Sequence, residues 1–110
     1  MSWPPLTTLD ELDAIEAASA HGPVLLFKHS TRCSISSTAL HRLQRAWQAA
    51  DAPVHLLDLL RHRALSDAIA ARYGVRHESP QVLVIRDGRC VYQASHLAIT
   101  YQDLAVAMQG

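Results

Sequence analysis

The chain reads as an α/β protein: a single domain spanning residues 1–110, built on a mixed four-stranded sheet with helices on both faces. Three observations predict this. The run Val24-Leu25-Leu26-Phe27 is apolar without interruption, as a strand covered on both faces requires. Asp87-Gly88 stands between two strand-like runs and is the strongest short hairpin signal present. Segments with apolar residues at helical spacing alternate with the first two strands, which is the pattern of a right-handed βαβ crossover. At 110 residues the chain is long enough to bury a core without disulfide or metal staples.

Taken in order, Thr8 followed by Glu11 forms a capping-box signature, and Leu9, Leu12 and Ile15 carry a first helix to about Ser19, where His21-Gly22-Pro23 ends it. The first strand, Val24 to Phe27, meets a polar bend, His29 to Arg32. A second helix then presents Ile35, Ala39, Leu43, Ala46 and Trp47 on one face and closes near Asp51-Ala52-Pro53. Val54 to Leu59 forms a second strand. Leu65, Ile69 and Tyr73 place a third helix ending at Gly74, a residue suited to a left-handed cap. Gln81 to Arg86 and Arg89 to Ala94 form the antiparallel hairpin. Thr100 caps a last helix whose Tyr101, Leu104, Ala105 and Met108 face inward.

Charge and composition exclude several function classes. Ten Lys and Arg balance ten Asp and Glu, and no block of like charge runs along the chain, so neither a nucleic acid nor a membrane surface is an expected partner. Met1 to Leu12 has neither a basic segment nor an apolar core of signal-peptide type, and no eighteen apolar residues run together, so a soluble cytoplasmic protein is expected. Two cysteines far apart make no disulfide framework, and in a reducing compartment a lone thiol is catalytic, metal-bound or simply buried. The seven histidines are scattered singly, without His-x-x-x-His or Cys-x-x-Cys spacing, so no metal site is expected.

The chemistry therefore rests on Cys33, which falls at the start of the second helix. A βαβ unit followed by a hairpin and a helix resembles the thioredoxin layout, in which a strand-to-helix junction carries the nucleophile. A helix N-terminus favours thiolate over thiol through its unpaired N–H groups and dipole, and Lys28, His29 and Arg32 lie close enough in sequence to add to the effect. Arg32, next to the cysteine, is a candidate thiol-binding residue. In Cys33-Ser34-Ile35-Ser36 a serine stands where a dithiol enzyme keeps its resolving cysteine. A lone thiolate attacks a mixed disulfide, becomes a mixed disulfide itself and needs an external thiol for release. Ser36 either donates a hydrogen bond to the sulfur anion or serves as a polar first-turn residue. Cys90 follows the hairpin turn, about 15–20 Å along a strand from the active-site end. That is too far for a disulfide, and it is read as a residue without catalytic duty. In this layout Ser79-Pro80 is the site of a cis-proline facing the nucleophile, with Ser79 pairing the substrate backbone. His96, at the end of the fourth strand, either contacts the incoming disulfide or is simply solvated. His77 and Glu78 are candidates for a polar rim beside Pro80.

Three segments together resemble the monothiol bacilliredoxins of the bacillithiol redox system: Phe27-Lys28-His29-Ser30-Thr31-Arg32-Cys33-Ser34-Ile35-Ser36, Tyr73-Gly74-Val75-Arg76-His77-Glu78-Ser79-Pro80-Gln81, and Ala94-Ser95-His96-Leu97-Ala98-Ile99-Thr100. The resemblance covers nearly the whole chain. It implies a thioredoxin-like fold, Cys33 as the attacking thiol, Pro80 as the cis-proline, and removal of bacillithiol from S-thiolated proteins. It also implies bacillithiol as a co-substrate and no resident cofactor. The chain departs from many members in having Ser34 rather than proline directly after the nucleophile, which removes some pre-organisation of the first helical turn. Two other functions compete. An iron-sulfur carrier of the monothiol-glutaredoxin type would also use a C-x-x-S motif, but Gly after the nucleophile and a Gly-Gly-x-Asp segment are missing here, and one thiolate per chain needs external thiols to hold a cluster. A non-catalytic thioredoxin-fold adaptor would leave Cys33 protonated near neutral pH.

Overall fold

A computed structural model describes residues 3–48 and 50–109; the first two residues of the Met1 to Leu12 stretch lie outside it. The elements follow the order α1 (Leu9–Ala18), β1 (Val24–His29), α2 (Ser34–Ala46), β2 (Val54–Asp58), α3 (Arg63–Tyr73), β3 (Gln81–Arg86), β4 (Arg89–Ser95), a 3-10 turn (His96–Ala98) and α4 (Tyr101–Gln109). The sheet runs β2-β1-β3-β4, with β1 and β2 parallel and the other two pairings antiparallel. This is the expected mixed α/β sheet of the thioredoxin fold.

Local signals explain most boundaries. Thr8 and Glu11 close a complete capping box: the Thr8 hydroxyl accepts from the Glu11 N–H at 3.1 Å, and the Glu11 carboxylate accepts from the Thr8 N–H at 3.0 Å. Gly74 ends α3 at φ 64°, a left-handed conformation that costs glycine nothing. Asp87 and Gly88 both take positive φ, as a two-residue turn of the primed type demands. The Asp103 N–H donates to the Thr100 hydroxyl at 3.2 Å, capping α4.

Alternation along the central strands splits the core in two. Leu25, Phe27, Val82 and Val84 face α2 and α4 and pack with Leu43, Trp47 and Leu104; Val24, Leu26, Leu83 and Ile85 face α1 and α3 and pack with Leu12, Leu65 and Ile69. The extended segment before α1 reaches the sheet, where the Leu6 N–H donates to the Leu56 carbonyl at 2.8 Å and the Leu56 N–H to the Pro4 carbonyl at 2.9 Å. Trp3 and Leu6 thereby enter opposite cores.

Four details differ from expectation. First, β1 continues two residues beyond Phe27, so Lys28 and His29 are buried strand residues and the bend is confined to the segment after them. Second, α2 ends at Ala46, before Asp51, because Trp47 leaves helical conformation to pack edge-on against Trp3 and Tyr101 and to donate its indole N–H to the Ala52 carbonyl at 3.1 Å. Third, Leu9 is exposed, its expected place being filled by Leu6 from the preceding segment. Fourth, Ile35 is 50% exposed at the start of α2.

Candidate active site

The register of the sheet assembles the site. Lys28 pairs with Gln81, and Gln81 pairs with Ser95. One residue further along the three strands, His29, Pro80 and His96 come side by side at the same end of the sheet. The His96 N–H donating to the Pro80 carbonyl at 3.1 Å closes that row. The Ser79–Pro80 peptide bond is cis, Pro80 is buried, and the half-buried Ser79 has its hydroxyl oxygen enclosed with no hydrogen-bond partner among the described residues.

Cys33 reaches this end from β1. After His29 the chain turns back on itself, the Cys33 N–H donating to the Ser30 carbonyl at 3.1 Å, and Cys33 becomes the N-cap residue of α2, its carbonyl accepting from the Ser37 N–H at 3.0 Å. The N-cap is where helix N–H groups lack intrahelical acceptors and where aligned peptide dipoles favour an anion. The side chain is half-buried and free. Arg32 is exposed in the bend, and among the described residues no ion pair is recorded for it.

Ser36, one turn into α2, is fully buried. Its hydroxyl lies 2.6 Å from His29 Nδ1 and accepts from the Ser30 N–H at 3.1 Å. Both contacts tie the first turn of α2 to the end of β1, and the sulfur of Cys33 is not among its hydrogen-bond partners. The residue therefore braces the cysteine loop from below. Burial holds His29 below the usual imidazole range, against the attraction of Asp58 and with the repulsion of His41. A neutral ring can accept the Ser36 proton or, in its other tautomer, donate to the oxygen.

Lys28 points to the opposite face of the sheet from His29, so its amine does not reach the cysteine loop on the α2 side. It has 0% relative exposure, and its amine donates to the Ser66 carbonyl at 3.0 Å and lies 3.3 Å from His77 Nδ1. Burial lowers it from 10.5 to about 8, against a raising influence from Asp67. His77 is held low by burial and then by Lys28 and Arg63, with Asp67 and Glu78 acting the other way. Rather than forming a rim alone, His77 joins Lys28 and the Ser66 hydroxyl, also 3.3 Å away, beneath the segment that leads to Ser79-Pro80. Glu78 lies 3.9 Å from the Arg76 guanidinium.

Cys90 stands elsewhere. It pairs with Ile85, which in turn pairs with Val24 at the start of β1, whereas Cys33 follows the end of that strand. Five residue steps at about 3.3 Å put roughly 17 Å between the two levels. Burial pushes the Cys90 thiol up, and the thiol is 3.3 Å from the Tyr92 carbonyl. Among the described residues no cluster of three or more His, Cys, Asp or Glu side chains is placed to hold a metal ion, and no helix is long and apolar enough to cross a membrane.

The sequence reading did not anticipate the groove beside Cys33. It has a volume of about 190 Å³ and lies between α2 and the 3-10 turn, with Ser34 and Ile35 at one wall and His96 and Leu97 at the other. Periodicity could have found it in one respect: Ser34, Thr38 and Arg42 recur every fourth residue along the polar side of α2.

A cysteine at the N-cap position of α2, at the same end of the sheet as a cis-proline, defines a thioredoxin-fold thiol oxidoreductase. Comparison with known proteins makes the assignment more specific. The chain belongs to the monothiol bacilliredoxin family: the family model described as "Monothiol bacilliredoxin BrxC" matches residues 4–104. A solved structure described as a candidate oxidoreductase with a thioredoxin fold is 30% identical with a TM-score of 0.84, covering 94% of this chain and 91% of that one. Mitochondrial thioredoxin 3 of Saccharomyces cerevisiae superposes with a TM-score of 0.75 at 14% identity, covering 97% of this chain and 93% of that one. The thioredoxin of Trypanosoma brucei brucei gives 0.76 at 10% identity, covering 98% and 88%; at such identities these two show the fold alone.

Proposed function

We propose that this protein removes bacillithiol from S-thiolated proteins in the cytoplasm through a monothiol cycle at Cys33, with bacillithiol as co-substrate and no resident cofactor. The observation that carries this reading is the setting of the one sulfur at the active-site end: Cys33 caps α2, Ser36 occupies the resolving position as a buried brace, and Cys90 lies at the far end of the sheet. In the first step the Cys33 thiolate attacks the bacillithiol sulfur of a mixed disulfide. The protein–bacillithiol S–S bond breaks, a Cys33–bacillithiol S–S bond forms, and the substrate cysteine leaves as thiolate and takes a proton from water. In the second, the thiolate of free bacillithiol attacks the bacillithiol sulfur bound to Cys33, releasing bacillithiol disulfide and regenerating the Cys33 thiolate. Each step exchanges one S–S bond for another, and free bacillithiol is the net reductant.

Roles follow for the neighbours. The Ser79 backbone, which precedes a residue without an N–H, offers its peptide groups to an extended substrate chain. Arg32 contributes positive charge next to the sulfur, and His96 borders the incoming thiol.

Mass spectrometry tests the cycle. Bacillithiol disulfide should add one bacillithiol to Cys33 per chain, and free bacillithiol should restore the reduced mass. Cys33→Ser should abolish reduction of a bacillithiolated substrate, while Cys90→Ser should leave the rate within about twofold of wild type, because Cys90 lies some 17 Å away along the sheet. An oxidised form that has lost two hydrogens and yields a linked Cys33–Cys90 peptide pair would overturn the monothiol cycle.

A further inference from the structure

The groove between α2 and the 3-10 turn has a composition that matches one end of a small thiol. Ser34, Thr38 and Arg42 stand in line along α2, and the eight residue steps from first to last span about 12 Å of helix axis. This line begins at the residue after Cys33 and runs away from it. The opposite wall carries His96 together with two apolar side chains: Leu97 is 85% exposed, and Ile99 is partly buried against the core.

Charge is one-sided as well. No acidic residue lines the groove, and none occurs anywhere in α2, whose sequence carries His41, Arg42 and Arg45. The described ion pairs engage Arg72 and Arg76, and none of them involves Arg42. An exposed guanidinium at the end of a groove, with two hydroxyls leading to it, is suited to a carboxylate, which it binds through paired N–H donors.

The 3-10 turn is held in position to form this wall. His96 adopts φ 54°, a left-handed conformation uncommon outside glycine, and its N–H bonds the Pro80 carbonyl. The same residue thus fixes the cis-proline segment on one side and the groove on the other.

We infer that the groove lined by Ser34, Thr38, Arg42 and Leu97 is the subsite for the carboxylate-bearing arm of the low-molecular-weight thiol, and that Arg42 selects anionic thiols over neutral ones. This rests on the monothiol cycle proposed above and extends it. The thiol sulfur sits at Cys33, its polar body follows the two hydroxyls, and its terminal carboxylate pairs with Arg42. The Ser79-Pro80 edge is left to the protein partner. Arg42 touches neither sulfur, so it acts on affinity for the thiol and not on the exchange chemistry.

The test compares two disulfides, the anionic bacillithiol disulfide and the neutral 2-hydroxyethyl disulfide, in their reaction with Cys33 under stopped flow. For wild type, the rate constant with bacillithiol disulfide should exceed that with the neutral disulfide and should fall as salt is added. Arg42→Gln should lower the bacillithiol rate constant about tenfold, corresponding to loss of one charge-assisted pair, and should weaken its salt dependence. The same variant should leave the neutral disulfide rate unchanged, and Arg42→Lys should recover part of the loss. Equal loss on both disulfides would mean that Arg42 governs general reactivity, and no loss on either would mean that the thiol arm lies elsewhere; each outcome overturns the subsite. If wild-type Cys33 takes up 2-hydroxyethyl disulfide and not bacillithiol disulfide, the cycle on which the subsite rests fails instead.

Discussion

Lys28→Met isolates the buried amine beneath the cis-proline segment. Methionine nearly conserves the volume and tolerates an apolar site, so the fold should survive the change. The lysine ammonium is lowered from 10.5 to about 8 by burial, with Asp67 opposing. That shift disfavours the charged form of the folded protein by about 3 kcal/mol relative to the unfolded chain. The unfolded chain holds its proton up to about pH 10.5 and the folded chain only up to about pH 8, so the unfolded state carries more protons across that interval and stability rises with pH. The penalty is present in full below pH 8 and vanishes above 10.5. Urea unfolding of wild type and Lys28→Met at about pH 7 and about pH 10 should therefore show wild type gaining about 2–3 kcal/mol on the variant over that range, because titrations that do not involve Lys28 cancel in the difference. A stability difference that stays constant with pH would refute the reasoning, since it would mean that Lys28 titrates alike in both states.

Two further changes test the brace under Cys33. Ser36→Ala leaves the Ser30 N–H and His29 Nδ1 without their partner in an enclosed site and should cost about 2–4 kcal/mol by urea unfolding; a loss under about 1 kcal/mol would mean that the hydroxyl braces nothing. Ser36→Cys places a second sulfur one helical turn from Cys33, where Cα atoms lie about 5 Å apart, within disulfide range. Oxidation of that variant should remove two hydrogens from the intact mass and suppress the small-thiol adduct on Cys33. Continued accumulation of the adduct would show that the side chain at this position cannot reach the cysteine.

Much of the fold is legible in local signals. The capping box of Thr8 and Glu11, the left-handed Gly74, the Asp87-Gly88 turn and the Thr100 cap each involve residues within four positions of one another, so their conformations follow from short-range sterics and hydrogen bonding. The unbroken run Val24 to Phe27 gave the two-sided burial of β1 because only a covered strand tolerates apolar residues on both faces. The position of Cys33 at the start of α2 followed from the same local reading.

What only the tertiary structure decided involves partners far apart in the chain. Lys28 reads in sequence as one more cation near the cysteine; the parity of β1 sends it to the other face, where its partners are 38 and 49 residues away. Leu9 and Ile35 fit a helical apolar stripe, yet both are exposed, since periodicity names a face and cannot say whether another element covers it. The groove at Arg42 depends on the pairing of β3 with β4 and on the His96 to Pro80 hydrogen bond that positions the 3-10 turn opposite α2. Sequence by itself determined the order of elements and the one sulfur at the active-site end, because turns, caps and strand burial are set locally. Which side chains brace that sulfur, and what surface lies beside it, was decided by sheet register, which brings distant segments into contact.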